Sequence, residues 1–509
     1  MTEVPAAQPS PADVEARLDA LRSRIHDELD LLDYGGRDWV PSPGHDVLDV
    51  LIVGGGHAGQ ALAFALARKD VRRVLVVDGA PVGLEGPWST QARMRTLRTP
   101  KMLKGPDNDV PALAPREWFV ARYGRERWDA IRFIPRLDWQ EYLQFYREVT
   151  GIDVVNETAV TSVAPPTHPD GPFIVTLSGP DGQTTRLAQR VIFATGLEGA
   201  GGVSVPQHLF HHLPKSAWGH TSHMLDFDAM KGMRIGVLGG GASAFDVAGT
   251  ALEHGAADVQ HFMRRAQMPA VNPLRWMEYA SFVEHFCDWD DAHKWDFMRK
   301  VLEIDQPSTQ SSIWRCFEHD NYKFALGSPW LSTRMDGDEV VVDVAGTEHR
   351  FDYVIAGTGV AVDLRMRPEL APFVDQVALW SDRFTPASGK EHLGLAAYPY
   401  LTGSFQFTAK NADAAPWMAR LYHFAQGARV TMGITGHQLS GLPAGVQRLV
   451  WGLTRDLFRE HQAAVRADFD AYDERELISL GPRPADQPPI QRHASSSWAE
   501  RLHPGTIEV

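Results

Sequence analysis

Cysteine is scarce: the chain has two, Cys287 and Cys316, in 509 residues. No CxxC or CxxxxC pair occurs, which excludes a redox-active dithiol and a cysteine-rich zinc site and fits a reducing compartment. Long apolar runs are missing too. No stretch of about 18 apolar residues exists, so no membrane-spanning helix is expected. The N-terminal segment shows no basic region followed by an apolar core, so no secretory signal is predicted and the expected location is cytoplasmic. Positive charge is in deficit. Lys and Arg number 50 against 64 Asp and Glu, a net charge of −14. That balance repels polyphosphates and argues against a nucleic-acid partner.

What is present reads as a globular chain of several domains, with 44% apolar and 22% charged residues. Val14, Leu18, Leu21, Ile25, Leu29 and Leu32 recur every three to four positions, which predicts an amphipathic helix before a Gly/Pro linker. Asp49–Gly79 then reads as strand, glycine turn, helix and strand. Met233–Arg265 repeats that shape.

In the first unit Gly54, Gly56 and Gly59 make a G-x-G-x-x-G directly after an apolar strand. Such glycines permit a tight turn, close approach to a pyrophosphate and close helix–strand packing. The helix N-terminus adds free N–H groups and a positive dipole end. Asp78 ends the second strand, where a carboxylate hydrogen-bonds a ribose 2′-OH and repels a 2′-phosphate. In the second unit Gly239, Gly241 and Ala244 make G-x-G-x-x-A, and the matching strand ends in Arg264 and Arg265. A unit charge pair at 4 Å is worth about 4 kcal/mol at an effective dielectric near 20, before desolvation. Exchanging attraction for repulsion is therefore enough to choose a dinucleotide. The first unit suits FAD or NAD and the second NADPH, unless the two arginines are only a solvated strand end. Two dinucleotides on one chain imply hydride transfer, with NADPH as donor and FAD as acceptor.

The second unit lies between two strands that each end in a glycine turn, Val191–Gly196 and Asp352–Gly359. This predicts an α/β fold with two Rossmann-like dinucleotide-binding domains, the NADPH domain inserted into the FAD domain. The expected division is an N-terminal helix and linker (1–47), a first FAD-domain segment (48–205), the NADPH domain (206–350), a second FAD-domain segment (351–460) and a C-terminal tail (461–509). The NADPH domain carries a Trp-rich helical insertion at 272–328, read either as a substrate lid or as a subdomain core.

The order of these motifs resembles the class B flavoprotein monooxygenases, which include flavin-containing monooxygenases, amine N-hydroxylases and Baeyer–Villiger enzymes. Gly239 to Asp246, with Gly241, Ser243 and Ala244, is similar to that family's second glycine motif. Asp352 to Gly359 is similar to the D-x₃-[LF]-A-T-G-Y of the hydroxylases, departing at Ala356, Gly357 and Val360. Gly219, His223 and Phe227 fit the family's F-x-G-x-x-x-H-x-x-x-[WYF] frame, with Ala217 where Phe is usual. The resemblance spans roughly 48–460. It implies that NADPH reduces FAD and that reduced FAD captures O₂ as a C4a-(hydro)peroxide, which oxygenates a small nucleophilic substrate, first at N or S and second as a Baeyer–Villiger reaction. An NADPH oxidase or flavin reductase shares every motif, and a non-catalytic flavoprotein is the remaining reading.

His220 and His223 alone could also be half of a metal site or two linker histidines. No third ligand is anchored by the sequence, so no metal is expected. The loop after Asp78 holds Trp88 and the cations Arg95, Arg98, Lys101 and Lys104. Those cations suit a pyrophosphate, a reduced flavin or a substrate carboxylate, or are simply solvated. Of the Baeyer–Villiger pattern usual in that loop only Gly86-Pro-Trp88 is kept. Gly436, His437 and Gln438 precede a helix with Pro443 in its first turn, which would aim its N-terminus at the flavin. The candidate catalytic residues are His223, Arg98 and Gln438. Gly196 and Gly359 complete the candidate cofactor glycines. A homo-oligomer would use the N-terminal helix or the tail.

Overall fold

The computed structural model describes residues 10–32, 38–42, 44, 46–103, 105–473, 475, 477 and 480–481. Lys104 and tail residues 482–509 lie outside them. The N-terminal helix forms as α1 (Pro11–Leu32). Its apolar stripe, Leu18, Leu21, Ile25 and Leu29, is buried within the chain's own main core. Each such side chain contributes about 1.5–3 kcal/mol on burial. Arg24 pairs with Glu117 at 2.9 Å, and Glu28 accepts the Ala112 N–H at 2.7 Å. The apolar stripe of this helix is thus covered by its own chain.

The first sheet is built from β1 (Val47–Val53), β2 (Val74–Val77), β3 (Val154–Val155), β4 (Ala159–Ala164), β5 (Phe173–Gly179) and β6 (Gly182–Gly196), in the order β3-β2-β1-β6-β5-β4. β3, β2, β1 and β6 run parallel, and β1 is buried at six of seven positions. A strand covered on both faces has no polar alternation. β5 and β4 are antiparallel additions, and β5 alternates, with Phe173, Val175 and Leu177 inward. The helix α2 (His57–Ala67) makes the crossover from β1 to β2.

Next come β7 (Gly201–Val203), β8 (Trp218–His220), β9 (Arg234–Leu238), β10 (Asp258–Phe262) and β11 (Tyr322–Ala325). An antiparallel meander follows, β12 (Trp330–Asp336), β13 (Glu339–Val344) and β14 (Thr347–Phe351). Then come β15 (Tyr353–Ala356) and β16 (Val360–Val362). The second sheet is parallel, in the order β11-β10-β9-β15-β8. β15 pairs with β9 from Tyr353 opposite Ile235 to Ala356 opposite Leu238. The second unit therefore extends past the boundary expected at 350. A short apolar run ending in glycine fits either parallel sheet, and only its pairing decides. The return to the first unit runs through β16, which pairs antiparallel with β7. β17 (Leu421–Ala425) then adds to the C-terminal half of β6.

The insertion forms the helices Pro273–Trp276, Ala280–His285, Asp291–Ile304 and Gln310–Phe317. Asn272, Asp290 and Thr309 cap three of them by accepting backbone N–H groups. Phe282, Phe286, Trp295 and Met298 share a core with Trp380, Tyr398, Val430 and Ile434, so the insertion rests on the later segment of the first unit. Trp276 and Trp314 stay exposed. No described helix is long and apolar enough to cross a membrane.

Candidate functional site

At the first glycine turn, Gly54 has φ +108°, and a Cβ there would lie 2.6 Å from the Ala194 carbonyl oxygen. A Cβ on Gly59 would lie 1.8 Å from the Gly54 carbonyl oxygen. No other residue fits at these positions. Asp78 accepts the Gly55 N–H at 2.7 Å on one carboxylate oxygen and the Ala80 N–H at 2.8 Å on the other. It thereby fixes the turn against the end of β2. The space above Gly56 faces Gly86, whose Cα stands 3.9 Å from a Cβ built on Gly56. The loop after β2 therefore closes over the turn. Trp88 in that loop is buried, lies 5.9 Å from the His57 ring, and leaves its indole N–H without a partner.

His57, the first residue of α2, donates its Nε2 proton to the His437 carbonyl at 2.9 Å. This bond joins the glycine turn to the loop holding Gly436, His437 and Gln438. Burial lowers the His57 pKa to about 4 and, with the charge of His57 beside it, that of His437 to about 3. Both rings are neutral at neutral pH. The helix Leu442–Glu460 starts behind this loop with Pro443 in its first turn and lies against α2. Gly196, with φ +68°, ends β6 on the same side. The cradle, the closed loop and the unpartnered indole fit an FAD pyrophosphate and ring.

The second turn repeats the scheme. His261 donates to the Gly239 carbonyl at 2.6 Å and accepts from the Tyr322 hydroxyl at 2.8 Å. Ala244 is buried against Gly357, whereas Gly241 and Ser243 are exposed at the head of the helix Ala242–Glu253. Beyond β10, Arg264 is exposed and Arg265 pairs with Asp305 at 3.0 Å. An open glycine turn with two cations at the neighbouring strand end fits NADPH.

The basic loop is held elsewhere. Arg98 donates to Asp246 at 2.7 Å, and Asp246 also accepts from the Ser312 hydroxyl at 2.6 Å. Arg95 and Arg315 both reach Glu253, and Arg315 donates to the Arg93 carbonyl at 2.8 Å. Lys101 lies over the Trp128 ring at 4.9 Å. The arginines at 95 and 98 thus fasten the loop to the Ala242–Glu253 helix. The acids that engage them lie far along the sequence.

His220 and His223 differ in their surroundings. His220 ends β8 fully buried, its Nδ1 accepting the Ser222 N–H at 3.1 Å and its Nε2 without a partner. Burial, aided by His223, lowers its pKa to about 4. His223 is exposed, and its Nδ1 accepts the His220 N–H at 3.1 Å. A Cβ on Gly219 would lie 2.5 Å from a Leu225 methyl carbon and 2.6 Å from the Tyr353 hydroxyl oxygen, the ends of two side chains that would have to shift. Gly359, with φ +78°, is exposed after β15.

Residues 48–371 match the model of the pyridine nucleotide-disulphide oxidoreductase family. The chain belongs to that family. It is 38% identical, over 467 residues, to the FAD-dependent urate hydroxylase of Xanthomonas campestris pv. campestris, covering 91% of this chain and 98% of that protein. Its fold is similar to the ornithine N-hydroxylase of Kutzneria sp. 744, with TM-score 0.63, 16% identity and coverage of 81% of this chain and 99% of that one. The cadaverine monooxygenase of Erwinia amylovora is similar at TM-score 0.59 and 13% identity, over 87% of this chain and 99% of that one. Sequence thus places the chain in an oxidoreductase family of two-dinucleotide proteins, and its fold is one it shares with flavin-dependent amine hydroxylases. The disulphide half of the family name does not extend to its cysteines. Cys287 and Cys316 are buried and free, and burial pushes their thiols up to about 11 and about 12. They stay protonated at neutral pH and unreactive.

The sequence reading missed His57, Gln426 and Arg429. His57 carried a signal, since it follows the glycines immediately. Gln426 and Arg429 belong to no motif, and only the fold brings them to the 436–438 loop.

Proposed function

We propose that this flavoprotein monooxygenase hydroxylates a ring carbon of an anionic purine-type heterocycle, with urate as the first substrate to test. The observation that carries the reading is 38% identity along 98% of a urate hydroxylase, against 13–16% for the ornithine and cadaverine enzymes. That identity supports carbon as the target ahead of the N or S that the family resemblance put first. One atom of O₂ enters the substrate and the other leaves as water, with NADPH and a proton supplying the two electrons and two hydrogens.

In this reading Gly54, Gly56, Gly59 and Asp78 hold FAD, with Trp88, Gly196 and Gly436 around it. Gly239, Gly241, Ser243, Ala244, Arg264, Arg265 and Gly359 hold NADPH. The bound pair supplies hydride transfer and oxygen activation. The chain's own work is positioning and exclusion of water. His57 locks the 436–438 loop by its bond to the His437 carbonyl. Gln438 offers a neutral amide at the same cleft. Arg98 acts through Asp246, holding the two units in register.

The test is turnover by the purified yellow enzyme. Urate is expected to accelerate NADPH oxidation, with urate, O₂ and NADPH consumed in roughly equal amounts, while ornithine and cadaverine give no such stimulation. NADPH oxidation unaffected by urate, with all O₂ recovered as hydrogen peroxide, would refute the proposal in favour of an oxidase.

A further inference from the structure

Arg429 opens the short helix Arg429–Met432 and is half-buried. Its side chain makes no hydrogen bond or ion pair among the described residues, and its Nε is shut off from solvent. Burial lowers its pKa, with only Tyr398 and Asp305 offsetting that loss. A cation so placed is costly unless something anionic meets it. Gln426, 6% exposed, turns an unpartnered Oε1 into the same cleft. The cleft is bounded by Thr435, His437 and Gln438 on the candidate flavin side. Its roof is aromatic: a Cβ on Gly433 would lie 3.0 Å from the Phe286 ring and 3.4 Å from Phe282. Burial raises the Tyr398 hydroxyl while Arg429 and Gln426 pull it back, so the three groups sit together. Of the other cations near the cofactor loops, Arg95 and Arg98 are paired with acids, and Arg93 and Arg136 donate to the carbonyls of Thr90 and Trp88.

We infer that Arg429 and Gln426 form the substrate-recognition site, taking the deprotonated imide edge of a planar, amide-bearing ring beneath Phe282 and Phe286. A guanidinium presents parallel N–H donors that match adjacent O and N⁻ acceptors, which a lysine point charge cannot. Gln426 Oε1 accepts a ring N–H. The aromatic roof covers the ring face. The inference rests on the urate-type reading. The cleft is too narrow to hold even a water molecule, so a ring enters only as the roof shifts outward.

The test uses Arg429→Gln, Arg429→Lys and Gln426→Ala in the full-length, FAD-loaded enzyme. Binding of urate is read from the bound flavin's absorbance, independently of turnover, beside KM for urate, KM for NADPH and flavin content. Arg429→Gln is expected to raise the urate Kd and KM about 10- to 100-fold, the usual loss of a charge-assisted contact, with NADPH KM and flavin content unchanged. Arg429→Lys should not rescue. Gln426→Ala should weaken urate about 3- to 10-fold. An unchanged urate Kd in Arg429→Gln overturns the inference, as does a rise confined to NADPH KM or a loss of flavin, either of which assigns Arg429 to a cofactor. If wild-type enzyme neither binds nor oxidises urate, the functional reading fails, and the recognition site is decided by titration with xanthine and barbiturate anions. Wild-type binding that Arg429→Gln abolishes upholds it, and no binding of either overturns it.

Discussion

Replacing Arg264 by alanine tests how the second unit selects its dinucleotide. Arg264 leaves β10 exposed and without a hydrogen bond or ion pair among the described residues. Its neighbour Arg265 pairs with Asp305 at 3.0 Å, with side chains 42% and 46% exposed. Such an exposed pair is worth at most about 1 kcal/mol, yet it partly neutralises Arg265, so Arg264 is the freer cation for a 2′-phosphate. The gross attraction of about 4 kcal/mol at 4 Å falls after desolvation to about 1.5–3 kcal/mol for a charged hydrogen bond. Arg264→Ala should therefore weaken NADPH about 10- to 100-fold and leave NADH within about 2-fold, since NADH has no 2′-phosphate. Arg265→Ala should cost less, and Asp305→Asn should tighten NADPH about 2- to 5-fold by freeing Arg265. Stopped-flow reduction of the bound flavin at varied NADPH and NADH gives both dissociation constants. Equal weakening of the two nucleotides by Arg264→Ala would falsify the 2′-phosphate role.

Three other changes have defined outcomes. Gly59→Ala brings a methyl carbon to 1.8 Å from the Gly54 carbonyl oxygen, so the purified protein should lose its flavin, and a normal flavin-to-protein ratio would contradict the cradle. Arg98→Ala leaves the buried Asp246 with Ser312 alone. That should cost about 2–3 kcal/mol and lower Tm by roughly 4–10 °C in a thermal melt, with slower flavin reduction by NADPH at unchanged NADPH affinity. His220, His261 and His423 are fully buried, and burial lowers their pKa values to about 4, 4 and 3 from an ordinary 6.5. The unfolded chain therefore binds more protons below pH 6.5, so stability is complete above that value and drains away as pH falls toward 4. A Tm that stays flat between pH 6.5 and 4.5 contradicts this.

The two glycine turns were legible because each requirement is local: apolar strand, glycines at fixed spacing, helix, then an acid or two arginines at the next strand end. The extent of the second unit was not, because Tyr353–Ala356 reads as a buried parallel strand for either sheet and only its pairing with β9 decides. Charge in the loop after Asp78 was visible, but its destination was not, since Asp246 and Glu253 meet Arg98 and Arg95 only after folding. The same limit separates His220 from His223, three residues apart yet one sealed and one exposed. Arg429 is the extreme case. What marks it is the absence of a partner in three dimensions, a property no motif encodes.

The pairing of β7 with β16 has a mechanical consequence. The chain passes between the two units twice, and both passages run through this one antiparallel ribbon, with the Ser204 N–H also bonded to the Gly359 carbonyl at 2.9 Å. Two crossings fixed side by side behave as a pin joint rather than as two separate tethers. Translation of one unit over the other would tear the ribbon, whereas swinging about it strains a few backbone torsions there and slides the insertion's aromatic core against Trp380 and Tyr398. The arginine clamp at Asp246 and Glu253 then acts as the catch on that joint. A few degrees at the pin become a larger displacement at distant points, so the ribbon and the clamp together fix how far the two glycine turns stand apart.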